Sequence, residues 1–171
     1  MNTKIIYWAV LALVLSAWVA APAKIAFAVS NLFSDSKQIG IPQDKWIAGG
    51  KCNIEHINGK PMTTEVYRID KNSALRLTGW AMDIEKTRLP ELTVVRLERN
   101  DNAPFFATVN GGLPRNDVKD YFSVPEDLIE SGYETNINIK NIPSGEYALT
   151  LIMKFSDVAY ICDNGRKIQI D

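Results

Sequence analysis

Five apolar side chains in strict alternation, Tyr147, Leu149, Leu151, Met153 and Phe155, constrain this chain more than any other feature. A period of two places all five on one face of a β-strand; wound into a helix they would scatter round its surface. Such a strand needs a facing layer to cover its apolar side.

Weaker forms of the pattern recur upstream. In Ala74–Asp83, Leu75, Leu77, Gly79 and Ala81 share one face, while Arg76, Thr78, Trp80 and Met82 share the other. Leu92, Val94 and Arg96 alternate with Thr93, Val95 and Leu97, so Glu91–Asn100 is buried on both sides over part of its length. Ile137 and Ile139 stand between polar neighbours in Thr135–Ile142, a half-buried strand. Shorter strands are expected at Cys52–His56, Thr64–Ile69 and Phe105–Val109. Val158–Cys162 and Arg166–Ile170 read as a closing hairpin about Asp163-Asn164-Gly165. Only residues 113–132 break the rhythm. There Asn116-Asp117 can cap a helical turn through Val118, Tyr121 and Phe122. Pro125–Ile129 reads as a second short helix with Gly132 as its stop. Eight or nine short strands with one short helical excursion predict an all-β, antiparallel immunoglobulin-like β-sandwich.

The N-terminus is of another kind. A basic start containing Lys4 precedes IIYWAVLALVLSAWVAA at 5–21, and Ala21-Pro22-Ala23 and Ala26-Phe27-Ala28 are cleavage patterns. Residues 1–28 are therefore read as a secretory signal peptide. The alternative is a retained signal anchor, because about 17 apolar residues reach the lower limit of a membrane span. On either reading Asp35 onward is exported, 29–50 is a linker on which Trp46-Ile47 can dock, and 51–171 is the sandwich domain. A membrane enters only through residues 5–27, if uncleaved.

Charge and rare residues narrow the function classes. The whole chain of 171 residues has a formal charge of −1. Loss of Lys4 and Lys24 with the leader takes 19 basic residues to 17 against 20 acidic, a balance of −3. A nucleic-acid binder should carry a basic stripe, so none is expected as a partner. One His and two Cys leave too few ligands for the usual zinc sites. No cofactor is expected. Cys52 and Cys162 stand near the two ends of the folded part and match no metal or redox spacing. In an oxidising compartment they read as a structural disulfide closing a loop on the order of 110 residues.

Several phrases occur together: LTGWAMD at 77–83, LPRNDVKDYF at 113–122, ESGYETNI at 130–137, PSGEYALTL at 143–151 and CDNGRKI at 162–168. They resemble a β-sandwich module of exported bacterial proteins with GWAxD, RPDV, GF/GY and GxYxL motifs; Asn116 stands where that pattern has Pro. The likeness spans about residues 52–171. Similar modules are appended to membrane proteins of cell-envelope glycan assembly, or follow a signal sequence alone. The resemblance implies a bacterial periplasmic or secreted binding or accessory module, whose partner is an envelope protein or a surface glycan. It carries over no activity.

Catalytic signatures are sparse. No Gly-x-Ser-x-Gly elbow occurs, and His56 reads as a half-buried strand residue beside Asn58-Gly59. Asp83, Glu85, Asp101, Asp117, Asp120, Glu126 and Asp127 are the carboxylates from which a hydrolase would need two across a cleft. Turn chemistry accounts for Asn100-Asp101-Asn102 and Asp163-Asn164 without calcium. Trp80, behind Gly79, is either core or an aromatic platform with Tyr67 or Tyr121. Arg115 and Asp117, entered through Gly111-Gly112, form either a binding site or an ion pair pinning the excursion. A non-enzymatic binding module, with Arg115, Asp117, Tyr121 and Trp80 as candidate binding residues, is the leading expectation. A single-pass inner-membrane accessory protein of surface-glycan assembly and a carboxylate-dependent hydrolase are its rivals.

Overall fold

The computed structural model describes residues 31–32, 46–63 and 65–171. The signal or anchor segment and most of the linker lie outside the described residues. Among the described residues, no helix is long and apolar enough to cross a membrane.

The strands are β1 (Asn31–Leu32), β2 (Trp46–Ala48), β3 (Lys51–Ile57), β4 (Lys60–Pro61), β5 (Tyr67–Ile69), β6 (Ala74–Met82), β7 (Leu92–Glu98) and β8 (Phe105–Thr108). β9 (Asn110–Leu113), helix α1 (Asn116–Phe122) and a 3-10 turn at Glu126–Ser131 follow, and β10 (Gly132–Asn138), β11 (Gly145–Lys154) and β12 (Ala159–Ile170) complete the chain. The fold is mainly β, in two six-stranded sheets. The first sheet runs β1-β10-β6-β3-β4, with β9 also beside β10; the second runs β2-β12-β11-β7-β8, with β5 also beside β12.

Alternation fixes which faces meet. Leu75, Leu77 and Ala81 of β6 and Ile54 and Ile57 of β3 turn inward from the first sheet. Val95 and Leu97 of β7, with Tyr147, Leu149, Leu151 and Met153 of β11, turn inward from the second. Each Val, Leu, Ile or Met among them removed from water contributes about 1.5–3 kcal/mol, which makes this shared layer the main source of stability. The even positions of β7 and β11 are buried too: Val94 and Ile152 pack with Phe106 and Trp46 on the outer face of the second sheet. Trp46 meets Phe106 edge to face at 5.9 Å, while Ile47 stays exposed.

Four expectations are corrected. First, the closing hairpin is one strand: β12 pairs with β11 on both sides of Asn164-Gly165, which form a bulge where Leu149 faces Arg166 and Thr150 faces Asp163. An Asn-Gly pair serves a bulge as well as a turn, since both need a left-handed residue, here Gly165 at φ +66°. Second, the sheets are not purely antiparallel: β1 on β10, and β2 and β5 on β12, are parallel pairings. Strands of two or three residues can be laid on an edge in either sense, because long connections bring them there. Third, the described strands exceed the eight or nine expected, because β1, β2, β4 and β9 carry no alternation. Fourth, Asn116 and Asp117 do not cap α1; its N-cap is Arg115, which makes no capping side-chain bond.

Cys52 of β3 and Cys162 of β12 form a disulfide, with Cα atoms 6.2 Å apart, that ties one sheet to the other. The amide of Asn164 in the bulge donates to the Cys52 carbonyl at 3.1 Å, a second tie at the same place. Replacing both cysteines by alanine should therefore lower unfolding free energy by about 2–5 kcal/mol in urea titration. An unchanged midpoint would show that the link adds nothing to the sheet-to-sheet burial.

Candidate functional site

The outward residues of β6 build the site. Trp80 and Met82 point away from the shared core, and Val118, Leu128 and Phe122 of the helical excursion cover them. Trp80 is thus neither sandwich core nor an open platform. It is 9% exposed, its ring meeting Phe122 edge to face at 5.3 Å. Phe122 in turn meets Tyr121 at 4.8 Å and 87°. Tyr121 itself is left 81% exposed. Three rings therefore run from buried to fully open across one end of α1.

A seven-residue helix cannot hold itself in water, and one guanidinium fastens this one. Arg115 Nη1 and Nη2 donate to Glu55 at 2.8 and 2.9 Å. Nε and Nη2 of the same group donate to Asp117 at 2.8 and 2.6 Å. β3 is thereby joined to the first turn of α1 through a forked, charge-assisted contact that a lysine could not reproduce. The clamp holds the Asp117 carboxyl down at about 2, chiefly through the Arg115 bonds, and raises the Arg115 guanidinium above its ordinary value.

Local sequence explains how these groups meet. Glu55 is the extra residue of a bulge in β3, between Ile54 opposite Gly79 and His56 opposite Thr78. Bulges re-aim side chains, and this one turns a carboxylate toward Arg115. Gly132 lets the arginine stem pass: a Cβ there would lie 2.8 Å from Arg115 Cγ and 2.7 Å from the Leu113 carbonyl. Gly79 does the same for the buried Tyr133, whose hydroxyl donates to the Asn53 carbonyl at 3.1 Å; burial pushes that phenol's pKa up.

The result is an open groove of about 370 Å³ lined by Glu55, Trp80, Asp117, Val118, Tyr121 and Phe122. Of the four residues singled out from sequence, Trp80, Asp117 and Tyr121 line it and Arg115 braces its rim. Tyr67 lies on β5 in the other sheet. Glu55 was missed. Its one signal is a change of parity, with apolar residues at 52 and 54 and the next at 57.

Three of the other candidate carboxylates have local partners. Asp83 bonds Arg88, Glu126 bonds Lys119, and Asp101 bonds Arg99. His56 Nδ1 lies 3.3 Å from Thr78 Oγ1. Among the described residues, no group of three His, Cys, Asp or Glu is arranged to hold a metal ion.

Comparison of the chain with known protein families, curated proteins and solved structures finds no match.

Because Asp117 is held below its ordinary 3.8, the clamp contributes fully above that value and is lost as pH falls through about 2. Carbon-detected NMR titration should place the Asp117 carboxyl near the lower figure in the native protein, and at the ordinary value in Arg115→Ala. That variant should also lose about 1–3 kcal/mol, leaving Glu55 unpaired, with amide exchange accelerated in α1. A wild-type midpoint near 3.8 would contradict the clamp.

Proposed function

We propose that this protein is an exported, non-enzymatic binding module of the bacterial cell envelope, and that it holds a surface glycan in the groove between Tyr121 and Trp80. Tyr121 carries the reading: a large ring on the open side of a helix that is pinned at its start and packed beneath. Aromatic faces cover the C–H surface of a sugar ring. The Glu55 and Asp117 oxygens in the same groove can accept bonds from sugar hydroxyls, strengthened by their charge. The backbone that carries the ring is held in place before the ligand arrives, which lowers the ordering cost of binding.

The same two carboxylates are also the minimum equipment of a glycoside hydrolase. A general acid must keep its proton near neutral pH, and Asp117, held at about 2, does not. Arg115 bridges the pair, as suits a rigid binding surface better than a cleavage site.

Export is supported by the leader-like sequence at 1–28 and by a disulfide of the kind that persists in oxidising compartments. The finer immunoglobulin-like assignment is supported by two features. One is the inter-sheet position of that disulfide. The other is the Tyr147 hydroxyl, which donates at 2.7 Å to the Pro143 carbonyl four residues upstream.

Two measurements test the proposal. Tyr121→Ala should lose at least tenfold in affinity for purified surface polysaccharide, about 1.4 kcal/mol, while an exposed site keeps stability within about 0.5 kcal/mol of wild type. Equal binding by the variant, or capture of a protein partner instead, would contradict it. Mass spectrometry of the native N-terminus should find a chain starting near Lys24 or Val29. An intact Met1 would support the inner-membrane accessory reading.

A further inference from the structure

On the outer face of the second sheet, Trp46 of β2 packs over Val94, Phe106, Ile152 and Ala159. Its hold on the sheet is slight. β2 is three residues long and joins the sheet edge by parallel pairing with residues 159–161 of β12. Ile47, the next residue, is exposed. Apolar burial of one ring is therefore the main force that keeps this short strand in place.

Docking has a polar cost at the same place. Trp46 Nε1, Arg96 Nε and Thr150 Oγ1 are buried without a hydrogen-bond partner among the described residues. The three belong to one neighbourhood. The Arg96 guanidinium lies 5.7 Å from the Trp46 ring centre. Arg96 also stands directly across from Thr150 in the β7–β11 ladder, on the outward parity that Val94 and Ile152 share. An indole and a guanidinium nitrogen can only donate, so Trp46 and Arg96 cannot satisfy each other. Glu98 engages Arg96 through Nη2 and leaves Nε stranded. A buried polar group without a bond bears its full desolvation cost, which water relieves once it is admitted. Burial of the ring and dehydration of these atoms thus pull β2 in opposite directions.

We propose that β2 is a releasable strap, with Trp46 alternating between this docked position and one lifted from the sheet, and that the stranded polar atoms set the balance. The chain turns at Gly49-Gly50, where Gly50 holds φ +70°, a backbone region that glycine enters freely. The motion stops there, because Cys52 is bonded to Cys162 and fixes β3. Release admits water to Arg96 and Thr150 and uncovers Val94 and Ile152. The strap lies on the other sheet from the Tyr121 groove, and the inference does not depend on that groove.

Hydrogen exchange of the full chain in maltoside micelles, followed by amide and indole NMR, tests the strap. The Trp46 indole signal is identified by its loss in Trp46→Phe. Relative to intrinsic rates, that N–H should exchange at least about a hundredfold faster than the amides of Val95 and Leu151, which open only with the whole sandwich. Thr150→Val keeps the side-chain shape and removes one stranded group. It should slow Trp46 exchange about tenfold beyond any change at Val95 and Leu151. Thr150→Ser keeps the hydroxyl and should not slow it. Trp46 exchanging in step with Val95 and Leu151 overturns the inference. So does a Thr150→Val variant that shows no slowing at Trp46 beyond theirs, or a Thr150→Ser variant that slows it equally.

Discussion

Burial of one shared layer between two sheets governs everything else in this protein. β6 and β11 each send alternate side chains into it, and their remaining side chains are thereby committed to the outside. On β6 the outward set includes Trp80 and Met82, too apolar to leave in water. The helical excursion answers that requirement: Val118, Phe122 and Leu128 cover the two residues, and the groove is the gap where the cover ends. The candidate site is thus a by-product of strand alternation on a sheet whose second face is also partly apolar.

The ties across this architecture are few and differ in kind. Cys52–Cys162 joins the sheets covalently at one place. Elsewhere, Asp83 at the end of β6 bonds Arg88, and Arg88 reaches Asp157 in the β11–β12 turn at 2.7 Å while lying 4.3 Å over the Phe155 ring. Arg115 performs the corresponding task for α1. Exposed ion pairs contribute little, whereas Arg115 is mostly shielded and bonded to two carboxylates at once, so its contact positions as well as attracts.

How much of this could be read from sequence depended on whether side chains alternate. Tyr147 to Phe155 gave both the strand and its inward face. The two faces of β6 were separable because Leu75, Leu77 and Ala81 contrast with Arg76 and Thr78. Cys52 and Cys162 were pairable from their isolation. β1 and β2 were not legible, since two or three residues contain no period. Asn110–Leu113 has two glycines and hence no side-chain pattern to betray β9. The Glu55 bulge and its partnership with Arg115, 60 residues away, are products of tertiary packing. Asn164-Gly165 misled because a bulge and a turn ask the same of glycine. The location of Trp80 was undecidable from its own strand, because only the distant excursion determines whether an outward tryptophan is covered.

The central proposal is that the groove over α1 binds a surface glycan. Hydrogen–deuterium exchange mass spectrometry of the protein, with and without purified envelope polysaccharide, tests it directly. The account predicts added protection concentrated at residues 117–122 and around Glu55 in β3. Protection appearing elsewhere on the surface, with α1 unaffected, would contradict it.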